Sequence, residues 1–145
     1  MLKKHGQQAL GRSRGGFGSK IHCIADAHGN PIGFTLTGAN EADISQAEIL
    51  LSKAPDPQAV IADKGYDADA LIEIIQNQSA EAVIPPRRNR LNPRAFDKDR
   101  YKARHLIENL FARLKQFRRV ATRFEKLAAH FSAIVTIACI FIWLK

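Results

Sequence analysis

Short apolar runs alternating with amphipathic ones constrain this chain more than any other feature. Gln58–Asp63 (QAVIAD) and Glu81–Pro86 (EAVIPP) are rich in β-branched residues, too short for helices, and bounded by lysine, glycine or proline. Glu41–Ser52 places Ile44, Ala47, Ile49 or Leu50, and Leu51 at helical spacing, and Asp67–Asn77 carries a second short helix pattern. Upstream, the apolar segments Ile21–Ala25 and Ile32–Leu36 flank the turn signal His28-Gly29-Asn30-Pro31 and predict a hairpin. Downstream, Ala103, Ile107, Leu110, Leu114 and Phe117 recur at intervals of three and four, the apolar stripe of a helix. Hairpin, helix, strand, helix, strand, helix is an α/β order with an antiparallel edge. At 145 residues the chain is about one domain.

The first 20 residues are polar, basic and broken by Gly11, Gly15, Gly16 and Gly18, and are expected to form a flexible arm. Positive charge without a following apolar run excludes a signal peptide there. Phe131–Leu144 is 14 residues long and contains Ser132 and Thr136, short of the roughly 18 that a membrane span needs. It is expected to be a buried final helix, with no membrane partner. Cys23 and Cys139 each sit in an apolar run, which predicts reduced, buried thiols and a cytoplasmic protein. No histidine or cysteine spacing supports zinc, and Gly11–Gly18 lacks the strand and Gly-Lys-Ser/Thr ending of a phosphate loop.

Charge is unevenly spread. The formal net charge is +8, with 7 basic and 10 acidic residues up to Ala82 but 15 basic and 4 acidic from Val83 onward. Between Arg87 and Arg119 alone the balance is +9. Such a segment favours a polyanion, most simply nucleic acid.

On one helix through this segment, Tyr101, Arg104, Glu108 and Lys115 fall within about 60° of one another. Glu108 is the only carboxylate of that surface; it either pairs with Arg104 at i, i+4 or does chemistry. Asp63, at a predicted strand end before Lys64 and Gly65, either caps the next turn or occupies the strand-end position where open α/β sheets put site residues. Together the two carboxylates suit a hard divalent cation acting on a phosphodiester, a chemistry that wants at least one further acidic ligand. Asp26, Asp43, Asp67 and Asp69 are the spare carboxylates.

These residues resemble a known family. Leu10–Asp43, Val60–Asp69 (VIADKGYDAD), Val83–Arg90 (VIPPRRNR) and the spacing Y-x2-R-x3-E-x6-K, met by Tyr101, Arg104, Glu108 and Lys115, are similar to the C-terminal part of the catalytic domain of DDE transposases in the IS4 and IS5 group of bacterial insertion sequences. The resemblance covers nearly the whole chain. It implies a ribonuclease-H-like fold, a mixed sheet flanked by helices. It also implies metal-dependent hydrolysis and strand transfer at insertion-sequence ends, with Asp63 and Glu108 as catalytic metal ligands. The implied cofactor is Mg2+ or Mn2+. Tyr101, Arg104 and Lys115 would hold phosphate near the scissile bond, and Arg87, Arg88 and Arg90 would track the DNA backbone.

The family's first catalytic aspartate and first strand precede the block beginning at Leu10, where Met1–Ala9 has no acidic residue. The chain is therefore expected to be a partial or second-frame product, lacking the first strand and inactive alone. Its implied partners are double-stranded DNA, as transposon ends and target, together with an upstream-frame transposase product or a second copy. Its implied setting is the bacterial nucleoid. The alternative is a non-catalytic basic DNA-binding module that partners or inhibits a full-length transposase. A basic RNA-binding or ribosome-associated protein accounts for the charge but not for Asp63 or Glu108.

Overall fold

The computed structural model describes residues 8–145. Strand β1 (Gly11–Ser13) turns tightly onto β2 (Gly16–Ala25), with Arg12 opposite Phe17 and Gly16 at a φ of +113° that suits only glycine. The arm expected over residues 1–20 is thus paired strand from Gly11 onward, and Met1–Gln7 lie outside the described residues. β2 continues antiparallel to β3 (Pro31–Gly38), Ile21 facing Leu36 and Cys23 facing Phe34, which is the expected hairpin. Its turn is organised by Asp26, whose Oδ1 accepts the backbone N–H groups of His28 and Asn30, both at 2.9 Å. Asp26 therefore has a local structural task.

A 3-10 turn (Asp43–Gln46) leads into α1 (Ala47–Leu51), and then come β4 (Ala59–Ile61), α2 (Asp69–Asn77) and β5 (Glu81–Val83). β4 and β5 are parallel, with α2 as the crossover between them. After a loop, Asp97 caps α3 (Lys98–Tyr101) by accepting the N–H groups of Asp99 and Arg100 at 2.9 and 3.0 Å. A 3-10 turn (Lys102–Arg104) joins α3 to α4 (His105–Leu114), and α5 (Arg118–Ala121) and α6 (Ala128–Trp143) follow.

Two apolar clusters hold these elements. One gathers Ala47 and Leu51 of α1, Leu71, Ile72 and Ile75 of α2, and Ile84. The other joins Leu110 and Leu114 of α4 to Phe131, Val135, Ala138 and Ile142 of α6. The last four recur at four, three and four, one helix face, and each fully buried side chain of this size contributes about 1.5–3 kcal/mol. β2 serves both clusters through strand alternation: Ile21, Cys23 and Ala25 pack on the second, Ile24 on the first. Cys23 and Cys139 are free and half-buried, and burial pushes the Cys23 thiol up to about 12. Among the described residues no helix is long and apolar enough to cross a membrane.

The expected α/β class holds, but the strands do not form the single mixed sheet expected for it. β1, β2 and β3 form one sheet and β4 and β5 another, with no hydrogen-bonded strand between them among the described residues. Residues of β2 and of the β4 segment instead line one open cavity, described next.

Candidate active site

Asp63 follows β4 in extended conformation (φ −77°, ψ 173°) and opens a 3-10 turn, its Oδ1 accepting the Gly65 N–H at 2.8 Å. It therefore caps that turn, while its second carboxylate oxygen, Oδ2, has no hydrogen bond among the described residues. Val60 and Ala62 pack against the α1–α2 cluster, so alternation turns Ile61 and Asp63 to the opposite face. Asp63 lines one cavity together with Arg104, Ile107 and Phe111.

Glu108 stands exposed on α4, and its carboxylate accepts from Arg104 Nη2 at 2.7 Å. The i, i+4 pair read from the spacing is present, and its Arg104 lines the cavity that Asp63 lines. The Arg104 guanidinium lies 6.0 Å from the Tyr101 ring centroid, and Phe96 meets that ring edge-on at 5.5 Å. The 3-10 turn before α4 does not break the rod, because Tyr101, Lys102, Arg104 and His105 all keep right-handed helical dihedrals. Lys115 is exposed at the end of α4.

The loop arginines divide. Arg87 Nη2 donates to the Gly65 carbonyl at 2.9 Å and its Nε to that of Lys64 at 3.3 Å, clamping the turn that follows Asp63. Arg90 binds Asp67 at 2.8 Å and Asp69 at 2.9 Å, and Arg94 binds the same two carboxylates. Arg88 is exposed, with no ion pair among the described residues. Asp67 is buried and also accepts the Arg87 N–H at 2.7 Å. Its burial opposes ionisation, but the hydrogen bond from Arg90, the Arg87 N–H and the charges of Arg90 and Arg94 outweigh that and hold the carboxyl below its usual range. Sequence reasoning missed this network; its signal was the Asp67/Asp69 spacing opposite Arg90 and Arg94. It fastens the Asp63 turn to the basic loop.

His22, buried beside Thr37 with 2.6 Å between Nε2 and Oγ1, lines the cavity from β2, and burial lowers its pKa. Asp43, 3.7 Å from His22 Nδ1, lines it from below α1. Carboxylates are the right donors for a hard divalent cation; Asp63 lines the cavity, and Glu108 is paired to the cavity-lining Arg104. Among the described residues no three His, Cys, Asp or Glu side chains gather closely enough to hold a metal by themselves.

Comparison with known proteins shows the family of the chain. The family model described as a transposase DDE domain matches residues 2–143. A protein assigned as the transposase for insertion sequence element IS6501 of Brucella ovis is 40% identical over 128 residues, covering 88% of this chain and 98% of that protein. One assigned to insertion sequence element IS402 of Burkholderia cepacia is 32% identical over 133 residues, covering 84% of this chain and 61% of that protein. No solved structure matches. With residues 2–143 matched by its model, the chain belongs to the transposase DDE domain family.

Proposed function

We propose that the chain supplies two of the acidic residues for metal-dependent phosphodiester hydrolysis and strand transfer at the ends of an insertion sequence. The observation that carries this reading is that Asp63 and Arg104 line one cavity, with Arg104 paired to Glu108. Asp63 and Glu108 are the hard oxygen donors for Mg2+ or Mn2+. Bound there, the ion supplies charge for activating the attacking oxygen and stabilising the leaving one.

The protein's own side chains do the positioning. Arg104 holds the Glu108 carboxylate in place and, with Tyr101 beside it, faces the phosphate as a planar fork; Lys115 adds a point charge. Arg88 contacts the DNA backbone from the loop, while Arg87 and Arg90 shape that loop and lend it charge. Residues 1–145 form one partial ribonuclease-H-like catalytic domain working on the bacterial nucleoid. With no group of three metal-ligating side chains among the described residues, the chain alone binds DNA but does not cut it, and an upstream-frame product or self-association completes it.

A second reading is a non-catalytic DNA-binding module that partners or inhibits a full-length transposase, favoured by the absence of a three-carboxylate cluster among the described residues. A supercoiled-plasmid nicking assay in Mg2+ or Mn2+ separates the two when run on the chain alone and on the chain with the full-length IS402 relative. Added activity that Asp63→Ala and Glu108→Gln both remove supports the catalytic reading. Inhibition of the relative's own nicking, unchanged by either substitution, establishes the module instead.

A further inference from the structure

Asp67 and Asp69 differ sharply in burial, so the two arginines they share are held unequally. The Asp67 side chain is 1% exposed and the Asp69 side chain 79%. On the inner side, Arg90 Nε donates to Asp67 Oδ2 at 2.8 Å, and Arg94 Nη2 takes the other oxygen, Oδ1. The same carboxylate accepts the Arg87 N–H, and Arg87 clamps the turn that follows Asp63. Each guanidinium is thus fixed along one edge, and a planar donor fixed along one edge presents its remaining N–H groups in a set direction. On the outer side, Arg90 Nη1 and Arg94 Nη1 converge on a single oxygen, Asp69 Oδ1, at 2.9 and 2.6 Å.

Among the described residues those two bonds are all that hold the Asp69 side chain. An ion pair this exposed is a weak tether, so the carboxylate turns into solvent at small cost. With Asp69 in place the four side chains carry no net charge; with it turned away the other three carry +1, and two guanidinium edges face outward. Asp69 is also the first residue of α2, whose N-cap Ala68 supplies no capping side chain, so the positive end of that helix lies at the same place.

We infer that this arginine fork is a binding site for one phosphate group, and that Asp69 is its internal stand-in, an exposed carboxylate that a phosphate oxygen displaces. A phosphate oxygen accepts the two charge-assisted N–H groups as the carboxylate oxygen does. Arg88, exposed on the same loop, adds the charge that draws a polyanion toward it. Because Asp67 ties the fork to the Asp63 turn through Arg87, a phosphate held here is registered against Asp63.

The inference deepens the DNA reading above and rests on it only for the source of the phosphate, a DNA backbone or the free ion. The test measures affinity for a labelled duplex by fluorescence anisotropy, and for inorganic phosphate by the arginine side-chain NMR signals, in wild type and Asp69→Ala. Removing the stand-in should raise affinity about fivefold or more. Glu73, exposed one turn along α2 and without an ion pair among the described residues, is the control: Glu73→Gln removes the same charge and should change affinity less than about twofold. Adding Arg94→Lys to Asp69→Ala keeps the charge but destroys the fork, and should abolish the gain; thermal melts confirm that each variant is folded. A gain with the duplex assigns the site to the DNA backbone, and a gain with inorganic phosphate alone assigns it to the free ion. No gain with either, an equal gain from Glu73→Gln, or a gain that survives Arg94→Lys overturns the inference. Duplex binding that ignores Asp69 counts against the fork alone, whereas a full gain without nicking counts against the catalytic reading alone.

Discussion

Replacing Asp67 by asparagine tests whether the network behind the Asp63 turn holds the site together. The Asp67 side chain is 1% exposed and accepts from Arg90, Arg94 and the Arg87 backbone N–H. Asparagine keeps the shape and one acceptor but removes the charge, leaving two guanidinium groups beside a neutral amide. Breaking a buried pair by removing one partner costs about 3–5 kcal/mol. The two arginine side chains keep 18% and 29% exposure and retain Asp69, so the lower end, about 3 kcal/mol, is the expected loss. An unfolding entropy of about 2.1 cal/mol/K per residue makes this a drop of roughly 10 °C in Tm. Urea denaturation of wild type and Asp67→Asn, from pH 7 downward, measures it. Because the folded-state pKa of Asp67 is lowered, its stabilisation is complete above the unfolded value near 3.8 and is lost as pH falls through the folded value. The two proteins should therefore differ by a constant amount down to about pH 5 and converge below pH 4. A difference under about 1 kcal/mol at pH 7, or one that does not narrow in acid, would refute the reasoning.

Further measurements address the rest of the molecule. Glu108→Gln should leave Tm within about 1 °C, since an exposed i, i+4 pair contributes only a few tenths of a kcal/mol, so any lost nicking reports chemistry and not unfolding. Arg88→Ala and Lys115→Ala should each lower the slope of log affinity for duplex DNA against log salt by about 1, measured by fluorescence anisotropy. Arg90→Ala should instead show its main effect in thermal melts. With its thiol pushed up to about 12, Cys23 should react with iodoacetamide at pH 8 about a thousandfold more slowly than a free cysteine, and recover normal reactivity in denaturant. Leu110→Ala, at a fully buried position between α4 and α6, should cost about 2–5 kcal/mol in urea unfolding.

Local rules made much of this molecule legible. The hairpin follows from two apolar runs about a Gly-Asn-Pro turn, and α4 from a three-four repeat whose members Leu110 and Leu114 are fully buried. Asp63 and Glu108 stood out because each is a carboxylate placed by its element: one at a strand end, one on a basic helix face. The opening glycine-rich stretch was misread as an arm since β1 is only three residues long and its strand character comes from pairing with Gly16–Gly18. The Asp67–Arg90–Arg94 network escaped notice because its members are 23 and 27 residues apart, beyond the reach of any periodicity.

The sequence by itself determined the element types, their order, the concentration of positive charge after Val83 and the residue spacings that mark the family. Those properties depend on neighbours within a turn or two, where hydrophobic period and capping chemistry act. Only the tertiary structure decided that the strands form two sheets and that residues of β2 and β4 line one cavity. Only it decided that three arginines of the basic loop, Arg87, Arg90 and Arg94, go to buried or backbone acceptors. Strand pairing and ion pairing across the fold depend on which groups remain unsatisfied once the helices have packed, and that is a property of the assembled chain.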